Sequence, residues 1–193
     1  MLLRRKTAPS AALIPLDDAK RHCRVDHTDD DAFITALCGA VESYLDGYAG
    51  IMGRALVSQV WELVSDERPC GALKVPLGPV VSVGSVEYVG PSGGPWQTWA
   101  AESYTVTEHQ TGAVIAPVAG WPPMASTGNV VKVTFTAGYG AAATDVPAAI
   151  RQAALLLIGH WYETRETVNI GDIASELPFS VAALLAPFRV HVI

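Results

Sequence analysis

The chain has 193 residues, half of them hydrophobic, and a formal charge of −6 at pH 7. This length and composition allow one substantial hydrophobic core or two small ones and argue against a disordered chain. The acidic excess disfavours binding of free nucleic acid through a basic face, although a negatively charged surface could line a channel through which DNA slides.

The cysteines and the hydropathy pattern argue against further classes. Cys23, Cys38 and Cys70 show no CxxC pairing, so the sequence predicts neither a disulfide framework nor a zinc site. No apolar run approaches the roughly 20 residues that span a bilayer. We therefore expect a soluble protein without membrane contact, made in a reducing cytosol.

The N-terminal part predicts an arm followed by two helices. Residues 1–15 show no sustained periodicity and are interpreted as a flexible arm. Residues 16–23 predict a short helix, and Thr28 or Asp29 can cap a longer one that ends near Gly47 or Gly50. The expected apolar stripe of this longer helix is Phe33, Leu37, Val41, Tyr44 and Tyr48.

β-branched and aromatic residues predict strands through the middle of the chain. The clearest is 130–136, where Val131, Val133 and Phe135 alternate with polar residues, as in a strand with one buried face. Gln110-Thr111-Gly112 predicts a hairpin turn, and the stretches 90–95 and 119–124, rich in Gly and Pro, predict loops. The other predicted strands are 55–65, 80–89, 104–107 and 113–116.

The C-terminal part predicts a long helix, a loop, a short helix and a tail. Thr144 or Asp145 can cap the long helix, and Pro147 suits its first turn. Apolar residues cover nearly its whole circumference, so it must be covered by the core or by another subunit. Residues 167–178 predict a loop, 180–185 a short helix, and the residues after Pro187 an extended, β-prone tail.

These elements predict an α+β fold, with a helical bundle formed by the N- and C-terminal helices and a β-rich insert between them. The predicted division is 1–15 as a flexible arm, 16–54 with 139–186 as the helical core, 55–138 as the β-rich insert and 187–193 as the extended tail.

No group of residues predicts a catalytic site, a metal site or a cofactor. His160 and Glu163 are three residues apart on the long helix, and His22, Cys23 and His27 form a second loose group, but neither group has a recognisable third ligand nearby. Ser82 and Ser85 lie in VSVGSV without the flanking glycine pair of a G-x-S-x-G elbow. The glycines around Tyr139 predict a strand-to-helix turn rather than a phosphate loop. We therefore do not expect an enzyme.

Three tryptophans, Trp96, Trp99 and Trp121, lie in or beside predicted loops. Loop tryptophans can form a platform for a sugar, and they are also enriched in protein interfaces. We favour the second role and interpret them as part of a subunit interface.

Laid in order, these segments resemble the head-tail connector (adaptor) family of tailed phages, including the adaptors of phage-like gene transfer agents. The resemblance rests on LDDAKRHCRVDHTDDDAFI (16–34), on AVESYLDGYAG (40–50) continued to VSQVWEL (57–63), and on VTFTAGYGAAATDVPAAIRQAALLLIGHWYETRE (133–166). They match a leading acidic helix, a second helix entering a β-rich insert, a strand ending in aromatic-glycine-x and a helix that begins at Val-Pro.

The resemblance implies a structural ring, usually of twelve subunits, that joins the portal to a tail-side stopper or connector protein. The ring would be assembled at the head-tail junction from subunits made in the host cytoplasm, and DNA would pass through it without sequence-specific binding. The tail would contact the portal through Phe188, Arg189, Val190, His191, Val192 and Ile193, by adding a strand to a sheet edge. On charge alone, the residues expected to line the channel are Asp29, Asp30 and Asp31.

Two alternatives stay open at this stage. The first is a virion-associated enzyme or carbohydrate-binding module that uses the β-rich insert. The second is a neighbouring component of the connector, such as a stopper or a tail terminator. The long C-terminal helix favours the adaptor, because stoppers and terminators are usually dominated by β-structure.

Overall fold

The computed structural model describes residues 1–126, 128–164 and 179–190. The chain divides into two compact units. The first, called here the β unit, contains Met1–Ser10 and Ser58–Tyr139, and the second, called the helical unit, contains Ala11–Val57 and Gly140–Ile193. The divisions near residues 57 and 139 lie close to the predicted ones at 54 and 138.

The β unit contains two antiparallel sheets. The larger has the strand order β1-β2-β8-β4-β5, and the smaller has the order β3-β7-β6. Among the described residues the strands are β1 (Leu2–Thr7), β2 (Gln59–Ser65), β3 (Leu73–Val75), β4 (Val80–Val89), β5 (Trp96–Trp99), β6 (Tyr104–His109), β7 (Gly112–Pro117) and β8 (Val131–Ala137).

The predicted alternation in β8 is confirmed. Val131, Val133 and Phe135 are buried, and the polar residues between them are partly exposed. β8 pairs with β2 on one side and with β4 on the other, so it is the central strand of the larger sheet.

The predicted hairpin between β6 and β7 is also confirmed. His109 pairs with Gly112 across the turn. Gly112 has a φ of +154°, and a Cβ on it would lie 1.9 Å from the carbonyl oxygen of Val75. Only glycine fits here, because a side chain would overlap the backbone at the end of β3.

The helical unit contains the four α-helices of the described residues: α1 (Leu16–Cys23), α2 (Asp31–Leu45), α3 (Ala148–Glu163) and α4 (Phe179–Leu185). Helix α1 has the predicted bounds. Helix α3 begins at Ala148 with Pro147 as its N-cap, later than predicted, because the expected caps Thr144 and Asp145 lie in a separate 3-10 turn. None of the helices in the described part of the chain is long and apolar enough to cross a membrane.

The predicted apolar stripe of α2 is rotated relative to the structure. The buried residues are Ile34, Val41 and Leu45, whereas Phe33 is 37% exposed. Tyr48, at 36% exposure, lies beyond the end of the helix. The sequence pattern favoured the aromatic side chains, but the core face of α2 is aliphatic.

The predicted fold class is wrong. The described residues form eight strands in two antiparallel sheets with four short helices, so β-sheet is the principal architecture rather than an insert in a helical bundle. Three strands were missed, because β1 is basic, β3 has only three residues and β5 lies beside a Gly-rich loop.

Both ends of the chain differ from the prediction. The N-terminal arm, predicted to be flexible, contains β1, which pairs with β2 along its whole length. At the other end, Ala186–Phe188 form a 3-10 turn rather than the start of an extended tail, and Arg189 has extended backbone. The predicted loop 167–178 and the tail residues His191, Val192 and Ile193 lie outside the described residues.

Candidate interaction surfaces

The C-terminal segment is fixed to the loop between Tyr48 and Arg54 in the helical unit. The amide of Val190 donates a hydrogen bond to the carbonyl oxygen of Met52 at 2.9 Å. The Arg189 Nε donates a second one to the carbonyl oxygen of Ile51 at 3.2 Å. Helix α4, which leads directly into this segment, is anchored by Val181 and Leu185, both fully buried. The position of Arg189 and Val190 is therefore set by contacts within the helical unit.

The loop that receives this segment is itself held by short-range contacts. The carboxylate of Asp46 accepts a hydrogen bond from the Leu56 amide at 2.7 Å, and the Gly47 amide donates to the Arg54 carbonyl oxygen at 2.8 Å. Asp46 is 8% exposed, so this hydrogen bond is shielded from water. A buried, hydrogen-bonded turn of this kind gives the C-terminal segment a rigid docking edge.

The predicted portal-binding residues are only partly described. Phe188 and Val190 are half-buried and Arg189 is exposed. Phe188 closes the 3-10 turn, whereas Arg189 and Val190 form the contacts to the loop. The structure thus describes the point from which the rest of the predicted tail departs.

The three consecutive aspartates at the start of α2 differ in their contacts. The Tyr162 hydroxyl donates a hydrogen bond to Asp30 Oδ2 at 2.5 Å. Lys20 Nζ lies 2.5 Å from Asp31 Oδ1 and forms an ion pair with it. Asp29 is exposed. Two of the three carboxylates therefore connect α2 to α1 and α3, and Asp29 is the one that faces solvent.

The three tryptophans do not form one exposed patch. Trp99 is 8% exposed, and its ring stacks on Trp121 at 4.6 Å and on Tyr104 at 5.1 Å between centroids. Trp121 is half-buried, and its Nε1 donates a hydrogen bond to the Gly71 carbonyl oxygen at 2.6 Å. Trp96 is also half-buried, under the Lys132 ammonium, which lies 4.7 Å from the ring centroid. Trp96 and Trp99 lie in β5, not in a loop.

The sequence did not predict the ion-paired glutamate of the larger sheet, Glu62. Glu62 in β2 is 6% exposed, and it receives Arg4 Nη2 at 2.7 Å and Lys6 Nζ at 3.0 Å from β1. The hydrogen bond from Arg4, with further support from Lys6, lowers the pKa of Glu62 against the opposing effect of burial. The sequence shows Arg4 and Lys6 two residues apart, as expected for two cations on one face of a strand. It does not show their partner, because Glu62 lies more than 50 residues away.

Two of the three histidines singled out from the sequence, His22 and His160, line a cavity of about 590 Å³ in the helical unit, and His27 does not. His22 and Cys23 contribute from the end of α1, and His160 and Glu163 contribute from the end of α3. The two loose groups therefore meet at one place. Within the described residues no three His, Cys, Asp or Glu side chains are arranged to hold a metal ion.

The two cysteines of the helical unit are poor nucleophiles. Burial, with the nearby charge of Glu163, raises the pKa of Cys23. Burial is also the main cause that raises the pKa of Cys38 to about 11, with smaller contributions from Cys23 and Glu42. Since the thiolate is the reactive form, neither residue is activated at neutral pH.

Comparison with known proteins agrees with the resemblance stated from the sequence. The family model "Phage gp6-like head-tail connector protein" matches residues 14–70. This stretch contains α1, α2, the docking loop of the C-terminal segment and β2. No curated protein sequence matches the chain.

Three solved structures are similar over the whole chain. A chain in the neck of an empty gene transfer agent (GTA) particle with C6 symmetry has a TM-score of 0.75 and 27% identity, over 100% of this chain and 98% of that one. The neck of a native GTA particle with C12 symmetry gives 0.73 and 27%, with the same coverage. The virion of a native GTA particle gives 0.72 and 26%, again with the same coverage. The resemblance to head-tail connectors, including those of gene transfer agents, is therefore confirmed.

Proposed function

We propose that this protein is a structural adaptor subunit in the neck of a phage-like particle of the gene transfer agent type. The observation that carries the proposal is the similarity of the entire chain, helical unit and β unit alike, to a neck component. The family model for head-tail connectors supports it independently, on the part of the sequence that builds α1 and α2.

The subunit forms a closed ring. The similar neck structures have C6 and C12 symmetry, and a ring of identical subunits closes when each copy contacts the next through two different surfaces related by a fixed rotation. Twelve copies fit the C12 neck. Such a ring joins the portal on one side to a stopper or connector protein on the tail side, and DNA passes through its centre.

The C-terminal segment contacts the portal. Its support is the pair of hydrogen bonds from Arg189 and Val190 to the loop at Ile51–Met52, which fix the point of departure of the residues that follow. Residues 191–193, His-Val-Ile, continue a β-prone sequence that can add to a sheet edge of the partner.

The acidic start of α2 faces the channel, with Asp29 as the principal residue. Asp30 and Asp31 are engaged by Tyr162 and Lys20, so their charge is used within the subunit. An exposed carboxylate repels the phosphates of passing DNA and so prevents it from adhering.

Subunits contact each other through the half-buried tryptophans, Trp96 and Trp121. Trp99 belongs to the core of the β unit because Trp121 and Tyr104 cover its ring. The same cover argues against a platform for sugars on this side of β5. The proposed role is structural and includes no catalysis, in keeping with the neck proteins that the chain resembles.

The decisive experiment is reconstitution with the portal ring from the same particle. Full-length protein is mixed with portal rings, and the complex is isolated by sedimentation and weighed by native mass spectrometry. We expect saturation at a fixed ratio of one adaptor per portal subunit. A variant that ends at Val190 keeps the hydrogen bond to Met52 and should lose the complex.

A matched control is Val118→Ser, which changes an exposed apolar residue of the β unit, 66% exposed, and should bind as the full-length protein does. If full-length protein does not bind the portal, the adaptor role is wrong. If the Val190-terminated variant binds as well as the full-length protein does, the adaptor role stands and the contact lies outside residues 191–193.

A further inference from the structure

Strand β1 contributes little to the hydrophobic core of the β unit. Five of its six residues are exposed and only Leu3 is half-buried. It lies at the edge of the larger sheet, where β2 is its one partner among the described strands, from Leu2 opposite Val64 to Thr7 opposite Val60. Its hold on the sheet therefore comes from backbone hydrogen bonds and charged side chains.

The charged contacts are specific for the sequence of β1. Arg4 and Lys6 point to the same carboxylate, with Arg4 at Oε2 and Lys6 at Oε1 of Glu62. The Met1 ammonium lies 2.8 Å from Asp66 at the far end of the same pair of strands. Without β1, Glu62 would lose both partners, so β2 presents an acidic site made for a strand with cations two residues apart.

The connection after β1 is short and leads away from the sheet. Residues 8–12, Ala-Pro-Ser-Ala-Ala, join β1 to Leu13 and Ile14, which are buried in the helical unit. The chain returns to the β unit only at Ser58. β1 is thus a tethered edge strand whose acceptor, β2, is remote in sequence.

We propose that in the assembled ring β1 of each subunit pairs with β2 of the next subunit, so that Arg4 and Lys6 of one copy bind Glu62 of its neighbour. This exchange rests on the proposed function, because it needs a ring. Every contact of the strand is preserved when another copy supplies it, which makes the exchange of an identical element inexpensive in free energy. Because β1 of this chain carries the two cations that pair with Glu62, the strand that β2 accepts comes from a second copy of the same chain.

The exchanged strand gives the ring a head-to-tail contact. Each subunit offers a strand at one surface and an acceptor edge at another, and such unlike surfaces generate closed rings. Once neighbours are held in the ring, the tethered strand is present at high effective concentration next to the adjacent β2.

Disulfide trapping across the β1–β2 pair tests the exchange. In a Cys70→Ser background, which removes an exposed thiol, Leu2→Cys/Val64→Cys places two thiols at opposed positions of β1 and β2. Thr7→Cys/Val60→Cys is a second opposed pair. The matched control, Val64→Cys/Lys132→Cys, joins β2 to β8 inside one sheet. Reduced protein is assembled with the portal, oxidised and separated on a non-reducing denaturing gel.

We expect the β1–β2 pairs to convert the monomer band into a ladder of covalent oligomers, while the control stays monomeric. In unassembled, dilute protein the same pairs should close within one chain. A monomer band from the assembled ring for both β1–β2 pairs overturns the exchange and leaves the ring intact. If no ring forms with unsubstituted protein, native mass spectrometry reports that separately, and both the ring and the exchange are wrong.

Discussion

The carbonyl oxygen of Val190 lies where a side chain on Gly53 would be, because a Cβ on Gly53 would approach it to 2.7 Å. Gly53 also has a φ of +62°, in the left-handed region that favours glycine. The docking of the C-terminal segment thus depends on a residue that has no side chain.

Gly53→Ala should therefore loosen the C-terminal segment. A left-handed alanine costs about 1–2 kcal/mol, and the new methyl group displaces Val190. We expect a lower melting temperature and faster hydrogen exchange at the Val190 amide. Gly39→Ala in α2 is the control, since a Cβ there meets no atom within 4 Å and alanine should stabilise the helix by about 0.5–1 kcal/mol. Equal effects of the two substitutions would contradict the proposed docking.

The attachment of β1 should weaken at acid pH. The folded-state pKa of Glu62 is lowered, chiefly by Arg4, so the ionised carboxylate stabilises the β1–β2 pair. This contribution is complete above the unfolded-state pKa of about 4.3 and is lost as the pH falls through the lower folded-state value. Hydrogen-exchange protection factors for the amides of β1, measured against pH, should show the loss.

Glu62→Gln is the comparison for that titration. It keeps the shape of the side chain but removes the charge, so protection of β1 should be low and should change little over the same pH range. A variant whose β1 protection falls with acid as steeply as that of the unsubstituted protein would show that another group is responsible.

The tryptophan cluster should contribute strongly to the stability of the β unit. Trp99→Ala removes a buried ring between two aromatic partners and should cost about 3–5 kcal/mol in the free energy of unfolding. Trp121→Phe retains a ring but loses the hydrogen bond to Gly71, for an expected cost of about 1 kcal/mol. Denaturant titrations followed by fluorescence measure both. A smaller loss for Trp99→Ala than for Trp121→Phe would be inconsistent with the packing.

Loss of the hydrogen bond to Asp30 should lower the stability of the protein more than loss of the charge of Asp29. Tyr162→Phe deletes the hydroxyl that binds Asp30 and should cost about 1 kcal/mol. Asp29→Asn, at an exposed position, should change the free energy of unfolding by less than about 0.5 kcal/mol. Thermal unfolding of the two variants under the same conditions tests this order, and a larger effect at Asp29 would refute the assignment of Asp29 as the solvent-facing residue.

The three cysteines should react at very different rates. Cys70 is exposed, whereas the pKa of Cys38 is raised to about 11. At pH 8 this pKa makes the thiolate of Cys38 about two orders of magnitude scarcer than that of an ordinary thiol. Timed alkylation with iodoacetamide and peptide mass spectrometry should find Cys70 modified first and Cys38 last. Equal rates in the native protein, as expected in denaturant, would contradict the burial.

Helices were the most predictable elements. The bounds of α1 were predicted, and Pro147 marks the start of α3 to within one turn, although neither helix has a side-chain cap. The alternation in β8 was equally readable because one face of the strand is buried and the other is partly exposed. The core face of α2 was not, since its buried residues are aliphatic, whereas Phe33 and Tyr44 contact aromatic rings of α3 from less buried positions.

The strands at the edges were the least predictable. β1 carries Arg4, Arg5 and Lys6 and has no apolar alternation, so nothing local to it predicts a strand. What holds it is Glu62, which only the fold brings close. The docking of Val190 on Met52 was hidden for the same reason, because it joins two backbone groups whose side chains carry no signal. The tryptophans were recognised as important, but only the structure separates the core residue Trp99 from Trp96 and Trp121.

The position of β8 in the larger sheet has a consequence for synthesis of the chain. It is the central strand, yet it is the last of the five to leave the ribosome, so β2 and β4 have no partner between them until Ala137 has been translated. At about 5–20 residues per second, that wait lasts several seconds. During this interval β2 and β4 each present an unpaired edge, so the nascent chain is then most exposed to aggregation and to chaperone binding.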